Sequence, residues 1–180
     1  MNLTINFKKL FNNSIYRMWG ISNASNRKEF IKDWLSSLKS KSTILDAGAG
    51  VQQYKKFAKH LNYVSQDFGE YSGGDAFGST YHPIFDTKSC DIICDITNIP
   101  RDDASFDYIM CTEVFEHLNN PIEGLSELSR LLKRDGELLI TAPFRCLYHQ
   151  TPYFFYSGFS KYWYEHFAKE FGFNSLKLYF

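Results

Sequence analysis

At 180 residues, with 44% hydrophobic and 22% charged side chains, the chain has the size and composition of one ordinary globular domain with a substantial core. Twenty Lys and Arg balance twenty Asp and Glu, which argues against an electrostatic grip on nucleic acid or an anionic membrane surface. No stretch approaches the ~20 apolar residues of a membrane span, the opening "MNLTINFKKLFNNSIYRMWG" lacks the features of a signal peptide, and Cys90, Cys94, Cys111 and Cys146 show no CxxC or zinc-like spacing. The expectation is a reduced, cytoplasmic protein with no metal centre.

The first periodic segment is "SNRKEFIKDWLSSLKS", which sets Phe30, Trp34, Leu35 and Leu38 on one helical face, with Asn26 and Glu29 spaced as a capping box. A short strand, "TILD", passes through "DAGAG" into "QQYKKFAKHL", which reads as a helix. "NYVSQD" is a second strand ending at Asp67. Residues 68–90 are rich in Gly and Ser without a clear period, so they form a long loop of the kind that is usually functional or mobile.

"DIICDI" and "FDYIMCT" are apolar throughout and read as buried strands three and four. "PIEGLSELSRLLKRDG" is a helix with Pro121 near its start, Gly136 just past its end, and Ile122, Leu125, Leu128, Leu131 and Leu132 on one face. "ELLITA" is a fifth strand, "SKYWYEHFAKEFG" a helix stopped by Gly172, and "NSLKLYF" a last strand. Apolar strands alternating with amphipathic helices predict an α/β domain, a mostly parallel sheet covered on both faces. The expected division is a helical cap over 1–41, a ligand-binding core over 42–143 and an aromatic acceptor-side segment over 144–180.

In such sheets ligands lie beyond the carboxyl ends of the strands, where strand order reverses. "DAGAG" sits at that edge. Asp67 ends the next strand, where a carboxylate can accept from both hydroxyls of a ribose. A nucleoside-containing ligand follows. The dinucleotide fingerprint wants a small third residue, but Gln53 stands there, and the loop begins with the acid Asp46. An acid suits a cationic ligand better than a pyrophosphate.

"ILDAGAG", Asp67, "DIICDITNIPRDDASFDYIMCTEVFEHLNNP" and "LLKRDGELLITAPF" together resemble class I S-adenosylmethionine-dependent methyltransferases. "TAPF" with "PYFFYSGFSKYWYE" is similar to the type 11-like members found with lipopolysaccharide and cell-surface glycan genes. The resemblance implies a three-layer Rossmann-like methyltransferase fold and S-adenosyl-L-methionine as cofactor. It implies that Asp46, Gly48 and Gly50 curve around the methionine portion, and that Asp67 holds the ribose with Phe68 against the adenine. Asp95 and Ile96 would meet the adenine amino group and ring face. Cys111 and Thr112 would offer backbone carbonyls to the ammonium, and Glu113 and His117 would line the methyl end. His117 and His149 are the candidate bases, His82 a weaker third.

Residues 144–180 hold 15 of the chain's 32 aromatics. Tyr162, Trp163, Phe167 and Phe171 read as the packing face of the last helix, whereas Tyr153, Phe154, Phe155, Tyr156 and Phe159 follow no helical spacing and suit an acceptor pocket for a sugar or other small molecule. The family's sheet has a seventh strand in an antiparallel hairpin with the sixth. No sequence remains for it here, so either the chain is a shortened form or the edge is completed differently, a second copy of the chain being one means. The alternatives are a nicotinamide-dependent oxidoreductase and a non-catalytic cofactor-binding protein.

Overall fold

A computed structural model describes residues 1–6, 23–71, 87–147 and 149–179. The sheet is built from β1 (Asn2–Asn6), β2 (Thr43–Ala47), β3 (Asn62–Asp67), β4 (Ile92–Ile93), β5 (Phe106–Thr112), β6 (Leu132–Thr141) and β7 (Ser175–Tyr179). Their order is β4-β3-β2-β5-β6-β1-β7, and every pairing is parallel. The helices are α1 (Asn23–Ser37), α2 (Pro121–Leu131) and α3 (Lys161–Glu170).

The period-two alternation of strand side chains separates two cores. Leu45, Ala47, Ile109, Cys111, Leu138 and Ile140 face one way, against Leu125, Leu128 and Leu131 of α2 and Tyr164 and Ala168 of α3. Ile44, Met110 and Leu139 face the other way, against Ile31, Trp34, Leu35 and Leu38 around α1. The result is the expected three-layer α/β arrangement with a mostly parallel sheet.

Several elements differ from expectation, each for a physical reason. The 1–41 segment is not wholly a helical cap, because Asn2–Asn6 is a strand inserted between β6 and β7; residues 7–22 lie outside the described ones. The sheet therefore reaches seven strands through its N-terminal strand, and no strand among the described residues follows β7. α1 begins at Asn23, which places Asn26 inside the helix rather than at its cap, and buries Ile31 fully where Phe30 is only partly covered.

"QQYKKFAKHL" is not a helix. Gln52 has φ of 54°, outside the helical basin, and only a 3-10 turn at Lys55–Phe57 forms. Compact turns still bury Tyr54, Ala58 and Leu61, so the apolar spacing is satisfied without an α-helix. The third predicted strand shrinks to Ile92–Ile93, with Ile93 half exposed at the sheet edge.

α2 ends at Leu131, and Gly136 belongs to β6, not to a helix cap. Between the Phe106↔Leu132 and Tyr108↔Glu137 pairs the register shifts. A Cβ on Gly136 would come 2.8 Å from the Asp107 carbonyl oxygen. Glycine is needed there for close backbone approach.

Candidate active site

Strand order reverses between β2 and β5, whose carboxyl ends lie side by side through Asp46↔Met110 and Ala47↔Cys111. A cavity of about 540 Å³ opens at this point. Gly48, Gly50, Asp67, Phe68, Asp95, Ile96, Thr112, Glu113 and His117 all line it, so the structure brings together nine of the twelve residues expected around the cofactor or as the two leading bases. Asp46, Cys111 and His149 do not line it.

The turn after β2 needs its glycines. Gly48 and Gly50 have φ of 71° and 53°. A Cβ on Gly48 would stand 2.3 Å from Val114 Cγ2, so the loop lies directly on the segment that follows β5. The Gly50 N–H donates to Asp67 Oδ2 at 2.8 Å, and the Gly69 N–H donates to Asp67 Oδ1 at 3.0 Å. Asp67 thus ties the ends of β2 and β3 into one cavity wall.

Gln66, which the sequence reading did not single out, braces the same wall from beneath. Its Oε1 accepts from the Gly48 N–H at 3.2 Å, and its Nε2 donates to the Cys94 carbonyl at 2.7 Å. Asp95 forms a turn by accepting from the backbone N–H and hydroxyl of Thr97, both at 2.8 Å, and still lines the cavity beside buried Ile96.

Asp46 points into the layer under the loop. The Tyr63 hydroxyl donates to its Oδ2, while Oδ1 is buried with no hydrogen-bond partner. Burial, opposed by the Tyr63 bond and reinforced by the charge of Asp67, pushes the Asp46 carboxyl up to about 7. Cys111 is fully enclosed in the core, which raises its thiol well above the usual range.

Beyond β5 the chain turns sharply at Glu113, whose φ is 55°. Its N–H donates to the Thr141 carbonyl at 2.8 Å, and the Thr141 hydroxyl donates to its Oε1 at 3.0 Å. Its Oε2 pairs at 2.9 Å with Nη1 of Arg27, a cavity residue from α1 that the sequence reading also passed over. Helix α1 thereby reaches the site from the opposite layer.

Glu116 and His117 follow on a 3-10 turn. Burial, then the charge of Glu113, pushes the Glu116 carboxyl up to about 8. Burial depresses the His117 ring to about 4, so it is neutral at physiological pH. His117 Nδ1 lies 2.5 Å from the Tyr153 carbonyl oxygen. A carbonyl only accepts, so Nδ1 carries the proton and Nε2 keeps its lone pair. The His149 ring meets His117 edge-on at 4.9 Å between centroids. His82 lies outside the described residues.

The aromatic segment divides differently from expectation. Tyr153 and Phe155 line the cavity, but Phe159 is buried in the main core. On α3 the packed ring is Tyr164, fully buried, whereas Tyr162 is exposed; Trp163, Phe167 and Phe171 cover the core in part.

Fold and site define a parallel α/β protein with a nucleoside-sized crevice at its topological switch point. The methyltransferase domain family matches residues 45–140, and the chain belongs to that family. It is 28% identical over 97 residues to an uncharacterised protein of Methanocaldococcus jannaschii, a match covering 54% of this chain and 39% of that relative's length. Among solved structures, a candidate methyltransferase from Bacillus halodurans C-125 is similar at a TM-score of 0.61 and 18% identity, over 81% of this chain and 68% of that one. A SAM-dependent methyltransferase from Aquifex aeolicus matches at 0.55 and 18% identity over 89% of both chains. Phosphoethanolamine N-methyltransferase 2 of Haemonchus contortus, solved with S-adenosyl-L-methionine, matches at 0.55 and 19% identity over 82% of this chain and 36% of that one. These likenesses are of fold. No helix among the described residues is long and apolar enough to cross a membrane.

Proposed function

We propose that this protein is an S-adenosyl-L-methionine-dependent methyltransferase acting on a small-molecule acceptor, with the hydroxyl of a sugar or other glycan precursor as the favoured group and the cytoplasm as its setting. The observation that carries the reading is the single cavity in which the Gly48–Gly50 turn, the Asp67 carboxylate, the Asp95–Ile96 wall and the Thr112–Glu113 turn converge.

The donor set fits the cofactor. Asp67 supplies acceptors for ribose hydroxyls while its backbone partners hold it in place. Exposed Phe68 and buried Ile96 offer apolar surface for a flat base, with Asp95 near its edge. Acidic groups surround the remainder, with Asp46 beneath the loop and Glu113 at the far end. When bound, the cofactor supplies an electrophilic methyl on a sulfonium.

The chain's own residues orient the acceptor and exclude water, which is where most of the barrier reduction for such a transfer arises, up to ~10 kcal/mol. Tyr153 and Phe155 cover one side of the cavity and Arg27 with Tyr54 the other. The neutral His117 marks the polar end at which an acceptor hydroxyl is held, with the His149 ring set against it. Gln53 lines the cavity where a dinucleotide fold needs a small residue, which weighs against the nicotinamide reading.

The test is calorimetry with S-adenosyl-L-methionine, S-adenosylhomocysteine and NAD, followed by methyl transfer to a panel of sugars. Binding of both adenosyl compounds and not of NAD is expected. Selective NAD binding overturns the proposal, and cofactor binding without transfer to any acceptor favours a binding protein.

A further inference from the structure

Among the described residues, one group of His, Cys, Asp and Glu side chains is close enough to share a cation: Glu116, His117 and His149, whose donor atoms all lie within 4.8 Å of one another. We propose that these three residues form a binding site for a divalent transition metal ion at the edge of the cofactor cavity. The sequence spacing gives no hint of it, because His149 is brought in by the segment after β6.

Three observations carry the proposal. First, both histidines have Nδ1 engaged by a backbone carbonyl, His117 by Tyr153 at 2.5 Å and His149 by Leu147 at 2.8 Å. Each therefore holds a proton on Nδ1 and leaves Nε2 as the atom that could ligate, the outer hydrogen-bonding pattern of metal-ligating histidines. Second, His117 Nε2 and Glu116 Oε2 are buried without any hydrogen-bond partner, and the Glu116 side chain is 1% exposed. Buried polar groups in native proteins are nearly always satisfied, so two orphans side by side point to a missing partner. Third, the Phe154 ring stands beside both imidazoles, at 6.2 Å and 5.0 Å between centroids, and adds an apolar wall to the cluster.

The geometry needs only side-chain adjustment. A tetrahedral ion with bonds of ~2.0–2.1 Å holds its donors ~3.4 Å apart. The Glu116 Oε1 to His117 Nε2 separation is already 3.8 Å. Two imidazoles and one carboxylate suit Zn²⁺, Fe²⁺ or Mn²⁺ better than Mg²⁺ or Ca²⁺, and three protein ligands leave a position open. His117 lines the cavity, which sets the site at its edge, with Glu116 and His149 outside the lining. Use of the ion to polarise an acceptor hydroxyl rests on the methyltransferase reading above; the site itself does not.

The experiment uses the 180-residue chain stripped with a chelator and titrated with Zn²⁺ by calorimetry and with Co²⁺ by visible absorption. One equivalent should bind, with d–d bands from Co²⁺. His149→Ala, in a half-exposed loop residue, and Glu116→Gln should each weaken binding about 10–100-fold, whereas His166→Ala, at an exposed histidine of α3, should not. Circular dichroism establishes that each variant is folded. Absence of binding, or unchanged affinity in His149→Ala, overturns the site. S-adenosyl-L-methionine affinity in the same metal-free sample separates the two proposals: cofactor binding without Zn²⁺ binding overturns the cation site and leaves the methyltransferase reading standing, and the converse result does the opposite.

Discussion

Replacing Asp46 by Asn should abolish a specific part of the protein's pH dependence. The carboxyl is buried under the glycine turn, with one oxygen held by Tyr63 and the other unpartnered. Its titration point rises from 3.8 to about 7, chiefly through burial. An acid raised in the folded state stabilises the fold fully below its unfolded pKa and loses that contribution as pH rises through its folded value. Three pH units at ~1.4 kcal/mol each make ~4 kcal/mol, lost between about pH 4 and pH 7. Asn keeps an acceptor for the Tyr63 hydroxyl and cannot ionise. Urea unfolding of both proteins should therefore give equal stabilities near about pH 4, and a variant more stable by ~2–4 kcal/mol near about pH 8. Taking the difference between the two proteins cancels other groups, including Glu116, which shifts in the same direction. Parallel stability curves across that window would refute the argument that the carboxylate is costly when ionised.

Gly48→Ala should destabilise the fold by ~2–4 kcal/mol, since it combines a left-handed backbone with overpacking against Val114. Adding Val114→Ala should recover the steric part and leave the backbone part of ~1–2 kcal/mol; strictly additive losses in urea unfolding would show that the two residues do not meet. Asp67→Ala should weaken S-adenosylhomocysteine binding by ~1–3 kcal/mol in calorimetry, and an unchanged affinity would mean the ribose lies elsewhere. Arg27→Met should leave the fold intact but lower methyl transfer, because Glu113 loses the partner that fixes its side chain at the cavity; transfer at the parental rate would remove α1 from the site.

The strands β2, β3 and β5 were legible because each is a short local pattern bounded by turn residues, and β3 and β5 lie where the pattern put them. The helix expected after the glycine turn was not legible. Tyr54, Phe57, Ala58 and Leu61 recur at helical spacing, yet compact turns bury them as well, and spacing does not distinguish the two. In the site, Asp67 and the Gly48–Gly50 turn stood out because a φ near 70° and a strand-end carboxylate leave local traces in residue type. Gln66 and Arg27 left none, being ordinary polar residues until their partners arrive.

What the sequence by itself determined is the layered α/β plan and the strand end at which a nucleoside cofactor would sit, because periodicity and glycine placement are set by the backbone a few residues at a time. Only the tertiary structure decided that Asn2–Asn6 enters between β6 and β7, that Arg27 crosses from α1 to Glu113, and that His149 comes to rest beside Glu116 and His117. Each of those joins segments more than thirty residues apart. Such pairings depend on which surfaces the packed sheet leaves available, and no local stretch of chain encodes that.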